Sequence, residues 1–442
     1  MPIPENDPLE EHLIRLLRHL GIERAHFAGC LSRDWEGLLT RYPDIVASLI
    51  LSCPMGMNVS ALRASAPRLL VFAGDQGRPA EETQRAMASL PGTTLINLRN
   101  YFSPPWADPI AERAEEIGPP MMDFLACIDK ERATEAVTLS QVDGEIAEIS
   151  YRIRGSGPPL VLLPLALAPS QWEPLLPALS ERYCTITLGG AALGMVAHLE
   201  ARAQSGYLRV IEQLVHEAQL RPGEAWLEVG CGSGALVRWL ARRTGRANRI
   251  VGVDINRYLL REAAALARKE GAESAIEFRE GNAEALPLVN DQFDVTMSCT
   301  VMEEGDADRM LAEFVRVTKP GGRVAVVVRS IDMPRWVNLP LSADLKAKVE
   351  AQGLLGGNVQ KQGCADASLY RRLCQAGLLQ VAMFPQWASY AQGERLQYVR
   401  DRIVATLSPE EAREWRNAMA RAQSEGTFFI SEPFHCAVGT KP

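Results

Sequence analysis

The sequence predicts two α/β domains, each built on a largely parallel sheet with helices on its faces. Short apolar runs alternate with helical patterns along the chain, which is typical of parallel sheets. The chain has 442 residues, of which 47% are apolar, and is therefore long enough for more than one core. A glycine-rich segment follows one apolar run directly, where a strand turns into a helix. We place the domains at residues 1–194 and 195–442.

Composition excludes several classes of protein. Only 23% of the residues are charged, so a disordered chain is not expected. The net charge of −7 indicates neither a nucleic-acid partner nor an anionic membrane. Residues 1–7 are acidic and the apolar run at 160–168 is short, which predicts no targeting or membrane segment and a cytoplasmic protein. The nine cysteines show no CxxC pair or metal-ligand spacing, so we expect free thiols and no metal.

The second half of the chain alternates strands and helices most clearly. We expect strands at residues 225–230, 249–254, 276–280, 293–298 and 323–328. We expect helices at residues 236–243, 257–269 and 307–317, and a turn at 319–322. This order predicts a doubly wound parallel sheet.

The first half alternates as well. We expect helices at residues 9–20, 35–42 and 109–127, and a hairpin over 142–154. We expect strands within residues 26–29, 45–52, 68–73, 94–98, 160–163 and 184–188. A single helix over residues 196–219 is predicted to link the two halves.

The glycine-rich segment carries the clearest chemical signal. Glu228 is followed by Gly230, Gly232 and Gly234, between a strand and a helix. Glycines let the backbone pass close to a ligand, and the start of the helix offers free N–H groups. Asp254 ends the next strand, where an acid can bind both hydroxyls of a ribose. The GxGxG spacing differs from the GxGxxG of dinucleotide binders.

With the acid ahead of the loop, this segment resembles the class I S-adenosylmethionine-dependent methyltransferases, whose sheet is Rossmann-like. The resemblance continues at residues 281–287, 293–295 and 319–322 and covers about residues 207–441. It is closest to the small-molecule branch typified by the ubiquinone and menaquinone biosynthesis methyltransferases. It implies S-adenosylmethionine as the cofactor and S-adenosylhomocysteine as the product.

The resemblance also implies roles for individual residues. The three glycines would line the methionine moiety, Glu228 would orient its amino group, Asp254 would hold the ribose and Ile255 would lie against the adenine. Asn282 stands where the family usually has an acid, and its amide oxygen can still accept a hydrogen bond from the adenine. The remaining predicted cofactor-binding residues are Ala283, Ser298 and Tyr207.

The acceptor side is defined less closely. The cofactor supplies an electrophilic methyl group, so the protein needs a base only if the nucleophile must lose a proton. Glu303 and Asp332, in the loops after two neighbouring strands, are the candidate catalytic carboxylates. The alternatives are an exposed loop at Glu303 and ordinary packing or solvation at Asp332. We expect His435 in a strand, without a role. The candidate substrate contacts are Met302, Trp336, Trp387 and Tyr390.

The first half resembles the α/β-hydrolases in a rotated order. Residues 22–34 and 42–54 resemble the nucleophile-elbow region, whereas residues 155–164 resemble the family's first strands. The sheet is therefore either circularly permuted within residues 1–194 or completed by a second chain in a swapped dimer. The positions of the nucleophile, the acid and the histidine hold Leu31, Gly77 and Phe102. Because a hydrolase needs all three groups, the resemblance implies an inactive domain that serves gating, dimerisation or substrate binding.

These observations predict a methyltransferase that moves a methyl group to O or N, less readily to C or S, of a small, partly apolar metabolite. Its expected partner is that acceptor, and a homodimer is an arrangement that the sequence allows. One alternative is a cyclase, isomerase, regulator or scaffold that binds S-adenosylmethionine without methylating. Others are a hydrolase with an accessory nucleotide domain and a protein-modifying methyltransferase.

Overall fold

The computed structural model describes residues 8–103, 107–204, 206–351, 359–404 and 406–442. The chain divides into two compact units, Met1–Ala197 and His198–Pro442. The division falls inside the helix Gly194–Ala203. The boundary that we predict, between residues 194 and 195, lies at the start of the same helix.

The first unit is built on an eight-stranded sheet with the order β4-β3-β2-β1-β7-β8-β6-β5. Its strands are β1 Ala25–Leu31, β2 Val46–Met55, β3 Leu69–Gln76, β4 Thr94–Phe102, β5 Asp143–Ile146, β6 Ile149–Arg154, β7 Pro159–Leu162 and β8 Cys184–Gly189. Strand β6 runs antiparallel to β5 and β8, and the other pairs are parallel. Because β1 pairs with β7, early and late strands form one sheet within a single chain.

Helices cover both faces of this sheet. They are α1 Leu9–His19, α2 Ser32–Arg41, α3 Val59–Leu62, α4 Gly77–Met87, α5 Pro109–Glu112, α6 Ala114–Glu131 and α7 Leu176–Ser180, with 3₁₀ helices at Arg63–Arg68 and Pro169–Trp172. Leu17 and Trp35 belong to the core on one face, and Met121 and Trp172 to the core on the other. The single helix predicted at residues 109–127 is wrong, because Arg113 has a non-helical φ of −138° and separates α5 from α6.

The second unit is built on a nine-stranded sheet in which β11-β10-β9-β12-β13-β17-β14 are neighbours in this order. Its strands are β9 Ala225–Val229, β10 Arg249–Asp254, β11 Ile276–Glu280, β12 Phe293–Cys299, β13 Thr318–Arg329, β14 Trp336–Val337, β15 Leu379–Met383, β16 Gln386–Tyr390 and β17 Ile430–Thr440. Strands β9 to β13 are parallel, whereas β17 runs antiparallel to β13 and also pairs with β14, β15 and β16. The predicted doubly wound sheet is therefore present, with an antiparallel extension.

The remaining helices are α8 Gly194–Ala203, α9 Gly206–Glu217, α10 Ala235–Arg243, α11 Arg257–Lys269, α12 Ala307–Val317, α13 Ala343–Glu350, α14 Ser368–Gln375, α15 Glu394–Val404 and α16 Pro409–Ser424. The single helix predicted over residues 196–219 is thus two helices. At the start of α9, a Cβ on Gly206 would collide with the carbonyl oxygen of Ser389, so this close approach to β16 requires glycine. No helix in the described ranges is both long and apolar enough to cross a bilayer.

The carboxyl edge of the second sheet brings the predicted site residues together. The loops after β9, β10, β12 and β13 all leave the sheet at this edge, since these strands are parallel. Strand β17 begins beyond the end of β13, because Arg329 pairs with Phe434 and residues 430–433 continue outward. Trp336 and Trp387 pair with this outer part of β17. The edge is therefore extended on the side away from β9.

Candidate cofactor and acceptor site

The glycine loop between β9 and α10 depends on its glycines. Gly230, Gly232 and Gly234 have φ values of 79°, 52° and 73°, a conformation that is costly for other residues. A Cβ on Gly230 would also collide with the Val301 side chain. The N–H of Gly232 donates to Asp254 Oδ2 at 2.8 Å, which joins the loop to the end of β10. The sequence-predicted loop and acid are therefore brought together.

Glu228 lies below this loop with an unsatisfied carboxylate. The residue is only 2% exposed, and its Oε2 has no hydrogen-bond partner among the described residues. Burial, together with the negative charge of Asp254, raises the pKa of Glu228 to about 8, while Arg202 opposes this shift. A buried carboxyl oxygen without a donor is costly. It fits a ligand that brings a cationic N–H group, such as an α-amino group.

Helix α8 covers the glycine loop, a feature that sequence analysis missed. Glu200 accepts a hydrogen bond from Ser233 Oγ at 2.7 Å and pairs with Arg238 Nη2 at 2.5 Å. A Cβ on Gly232 would lie 2.9 Å from the Leu199 side chain. No spacing in the sequence marks these residues, because they precede the loop by more than 30 positions. Their role becomes visible only when α8 is placed against the loop.

Arg202 of the same helix faces the cofactor side of the site. Its guanidinium lies 3.8 Å from the centre of the Tyr207 ring and donates to Thr300 Oγ1 at 3.0 Å. It also acts electrostatically on Glu228. Tyr207 is 2% exposed and packs against Phe434 at 5.1 Å between ring centres. Arg202 and Glu228 are therefore a cation and a carboxyl group close to the glycine loop.

The residues predicted for the ribose and adenine lie at the ends of β10 and β11. Asp254 Oδ1 accepts from the N–H of Asn256 at 2.8 Å, so backbone groups orient this carboxylate. Ile255 is 67% exposed, an apolar surface that an aromatic base can cover. Asn282 is exposed, and its Oδ1 accepts from the N–H of Glu284 at 2.9 Å. Ala283 beside it is half-buried.

Ser298 differs from the other predicted cofactor residues. Its side chain is 1% exposed, and its hydroxyl donates to the carbonyl oxygen of Val229 at 3.1 Å. The hydroxyl is thus used between β12 and β9. Direct contact of this side chain with a cofactor stays a prediction.

Glu303 lies in the interior, so the exposed-loop alternative is wrong for it. The residue is 0% exposed, and its Oε1 accepts from the backbone N–H and the Nε of Arg329 at 2.7 and 3.3 Å. Arg329 also pairs with Glu304 at 2.7 Å. Burial raises the pKa of Glu303, although Arg329 opposes it. This pair joins the loops that follow β12 and β13, so Glu303 has a clear structural role.

Asp332 is paired with His435, the residue to which sequence analysis gave no role. His435 Nε2 lies 2.5 Å from Asp332 Oδ1, and the N–H of Ala367 donates to Asp332 Oδ2 at 2.9 Å. Burial opposes ionisation of Asp332, but these hydrogen bonds outweigh it and lower its pKa. His435 is 3% exposed, and its Nδ1 finds no partner within the described part of the chain. The two residues are 103 positions apart, so no local pattern could predict the pair.

The four candidate substrate contacts separate into two groups. Trp336 and Trp387 are 56% and 46% exposed on the extended carboxyl edge, and Trp336 lies 6.1 Å from the Phe429 ring. Tyr390 is 3% exposed near the same edge. Met302 is 0% exposed and belongs to the core that contains α12. The exposed tryptophans are the better placed of the four, and all four contacts stay predictions.

The match to a family model lies in this second unit. Residues 227–322 match the family model described as a methyltransferase domain. The matched residues run from β9 into β13 and include the glycine loop, Asp254 and Glu303. The match thus covers the cofactor side of the site and ends before the residues on β14, β16 and β17.

Several curated methyltransferases are similar to part of the chain. The chain is 35% identical over 119 residues to the methyltransferase GfsG of Streptomyces halstedii, covering 27% of this chain and 42% of that protein. It is 30% identical over 142 residues to the demethylmenaquinone methyltransferase of Lactobacillus johnsonii, covering 32% and 58%. It is 32% identical over 111 residues to the ubiquinone/menaquinone biosynthesis C-methyltransferase UbiE of Legionella pneumophila, covering 25% and 44%. The chain spans about half the length of these relatives.

Solved structures are similar at lower identity. The crystal structure of the [4+2]-cyclase SpnF is 22% identical, with a TM-score of 0.34, and the match covers 53% of this chain and 81% of that one. The geranyl diphosphate C-methyltransferase of Streptomyces coelicolor is 14% identical, with a TM-score of 0.34, and the match covers 53% and 80%.

Proposed function

We propose that the second unit binds S-adenosylmethionine and transfers its methyl group to a small-molecule acceptor. The observation that carries this proposal is the buried carboxylate of Glu228 beneath a loop of glycines. A cationic amino group would satisfy its unpartnered oxygen. The positive-φ backbone of the loop is the conformation that glycines provide for close approach to a ligand. Bound there, S-adenosylmethionine supplies an electrophilic methyl group on its sulfonium.

The residues present fit this cofactor along its length. Glu228 would accept from the amino group, and Arg202 is the nearby cation that suits the carboxylate of the methionine moiety. Asp254, oriented by two backbone N–H groups, has the chemistry to accept from ribose hydroxyls. The exposed side chain of Ile255 offers an apolar contact for the adenine. Helix α8 would help to exclude water from the glycine loop.

The acceptor would lie at the extended edge formed by β14, β16 and β17. The exposed Trp336 and Trp387 offer apolar surface for a partly apolar metabolite. The proposed accepting atom is O or N of this metabolite, and C or S is less favoured. His435, aligned by Asp332, adds a group that could take a proton from an accepting hydroxyl or amine.

We further propose that the first unit is a permuted, inactive hydrolase-like domain. Its strand order supports the proposal, because the hydrolase-like first strands β5 to β8 lie beside β1 within one sheet. A Cβ on Gly77 would lie 2.8 Å from the Phe102 ring, so the two positions that would hold an acid and a histidine are neighbours. Neither residue can ionise, which leaves gating, dimerisation or substrate binding as roles.

A Ser-His-Asp set elsewhere in this unit does not change that proposal. Ser48 Oγ lies 2.8 Å from His26 Nδ1, and His26 Nε2 lies 3.1 Å from Asp129 Oδ1. Ser48 and His26 are 1% and 0% exposed, near the amino ends of β2 and β1. Burial lowers the pKa of His26 despite Asp129. Substrate reaches parallel sheets at the carboxyl ends, so this set holds strands and helix α6 together.

The activity is tested with methyl-labelled S-adenosylmethionine and a fractionated extract of small molecules. We expect the label to enter a small product, with an equal amount of S-adenosylhomocysteine formed, in the wild-type protein and not in Asp254→Ala. Binding of S-adenosylhomocysteine without label transfer in any fraction would instead support a cofactor-binding protein that does not methylate.

A further inference from the structure

A buried arginine near the extended edge lacks adequate partners. Arg335 lies directly before β14 and is only 9% exposed. Its Nε has no hydrogen-bond partner from any residue that the structure describes, and its Nη1 reaches the carbonyl oxygen of Val349 only at 3.5 Å. Its backbone N–H donates to the carbonyl oxygen of Glu350 at 3.1 Å. A guanidinium carries five N–H donors, and leaving them unmatched in the interior is costly.

The carboxylate nearest to Arg335 is engaged by another arginine. Glu432 Oε2 accepts from Arg395 Nε at 2.8 Å and lies 2.6 Å from Arg395 Nη2. Its other oxygen is 4.0 Å from Arg335 Nη2. Burial lowers the pKa of Arg335, Glu432 opposes this shift, and Arg395 and Arg402 add to it by repulsion. One buried carboxylate is thus shared by two arginines, with the closer contacts going to Arg395.

The cluster of Arg335, Glu432 and Arg395 lies on the same side of the sheet as the predicted cofactor residue Tyr207. Glu432 and Phe434 are two positions apart on β17 and therefore lie on the same face of the strand. The Phe434 ring packs against the Tyr207 ring, over which Arg202 lies. Burial, followed by Glu432, raises the pKa of Tyr390 to about 12, whereas Arg395 and Arg202 oppose the shift. Tyr390 is therefore within electrostatic reach of both Arg202 and Arg395. Glu432 likewise acts electrostatically on both Tyr390 and Arg335.

We propose that Arg335 and Arg395 form an anion subsite for the acceptor, which binds a carboxylate or phosphate-monoester group of the substrate. The inference rests on the proposed function and names a chemical class for its acceptor. A planar guanidinium can bind either group through two parallel hydrogen bonds. A bound anion would give Arg335 Nε its missing acceptor. It would also offset the one positive charge of the Arg335 and Arg395 pair that Glu432 leaves unbalanced. The substrate is then an acid.

The test uses the full-length protein and three probes of similar shape. Benzoate, phenyl phosphate and uncharged benzamide are titrated calorimetrically into protein saturated with S-adenosylhomocysteine. We expect at least one anion to bind, and Arg335→Gln to weaken it about tenfold or more, as for the loss of a charged hydrogen bond. The two anions separate a carboxylate site from a phosphate site. Arg421→Gln, at an exposed arginine, is the matched control.

The inference is overturned if neither anion binds more tightly than benzamide, or if Arg335→Gln binds the anions as the wild type does. Unchanged affinity of Arg335→Gln for S-adenosylhomocysteine shows that the variant is folded, and Arg335→Lys serves as a second variant if it is not. If the wild type fails to bind S-adenosylhomocysteine, the proposed function fails. The anion titrations then proceed without it and decide the subsite separately.

Discussion

At the scale of single residues, the proposed site contains buried ionisable groups whose hydrogen-bond partners are incomplete. Glu228 has an unpartnered oxygen beside Arg202, and Arg335 has an unpartnered Nε beside Glu432. Each arrangement is costly in the free protein and becomes favourable when a ligand of opposite charge arrives. The binding of ligand is therefore expected to change protonation as well as affinity.

Glu228 gives the first such expectation. Its pKa is raised from near 4.5 to about 8, so the folded protein holds this proton more tightly than the unfolded chain. The contribution of Glu228 to stability is thus lost as pH rises from about 4.5 to 8, because the unfolded carboxyl ionises first. A bound amino group favours the ionised form, so S-adenosylhomocysteine should release a proton on binding at pH 7. Calorimetry in buffers of different ionisation enthalpy measures this release.

The matched variant for that experiment is Glu228→Gln, which keeps the shape of the side chain and cannot ionise. We expect it to bind S-adenosylhomocysteine more weakly and without the proton release. Equal release by the variant and the wild type would contradict the assignment of Glu228.

A substitution of Arg202 tests whether this residue binds the amino-acid part of the ligand. Arg202→Gln should weaken S-adenosylhomocysteine by about 10- to 100-fold, since hydrogen bonds to charged groups contribute about 1.5–3 kcal/mol. Binding of 5′-methylthioadenosine, which lacks the amino-acid group, should stay unchanged. Arg209→Gln on the exposed side of α9 is the control. A variant that loses both ligands equally would indicate that Arg202 only supports the fold.

At the scale of elements, the sequence predicted the features that depend on neighbouring residues and missed those that depend on long-range contacts. Helix α11 begins and ends at the predicted residues, and the loop from Glu228 to Gly234 lies where its strand-turn-helix context places it. These features depend on neighbouring residues. The contact of α8 with the glycine loop and the pair of His435 with Asp332 depend on residues far apart in sequence, so no spacing reveals them. The break before α9 likewise depends on Ser389, nearly 200 positions later.

Two glycine variants separate the effect of a steric collision from the effect of backbone conformation. Gly230→Ala introduces both a positive-φ alanine and a collision with Val301, whereas Gly377→Ala introduces positive φ in open space. Both should lose about 1 kcal/mol of stability or more from φ alone. Only Gly230→Ala should also abolish binding of S-adenosylhomocysteine, measured by calorimetry. Retained binding in Gly230→Ala would show that the loop tolerates a side chain and does not cradle the ligand.

At the scale of the whole molecule, the chain has two α/β units, and the segment that matches the methyltransferase family model lies in the second of them. The family match ends at residue 322, so the acceptor edge on β14, β16 and β17 lies outside it. This explains why the cofactor could be predicted from sequence and the acceptor could not. The residues that line the acceptor side come from segments whose position depends on the antiparallel extension around β17. Trp336, His435 and Arg335 are therefore assigned to the acceptor by proposal, from their places in the structure.

The central claim is that the second unit holds S-adenosylmethionine on its glycine loop. Calorimetric titration of the full-length protein with S-adenosylhomocysteine tests it most directly, with Asp254→Ala as the variant and Asp344→Ala, at an exposed acid on α13, as the control. We predict binding by the wild type and the control, and binding that is about tenfold weaker or more in Asp254→Ala. Absence of binding by the folded wild-type protein would contradict the account.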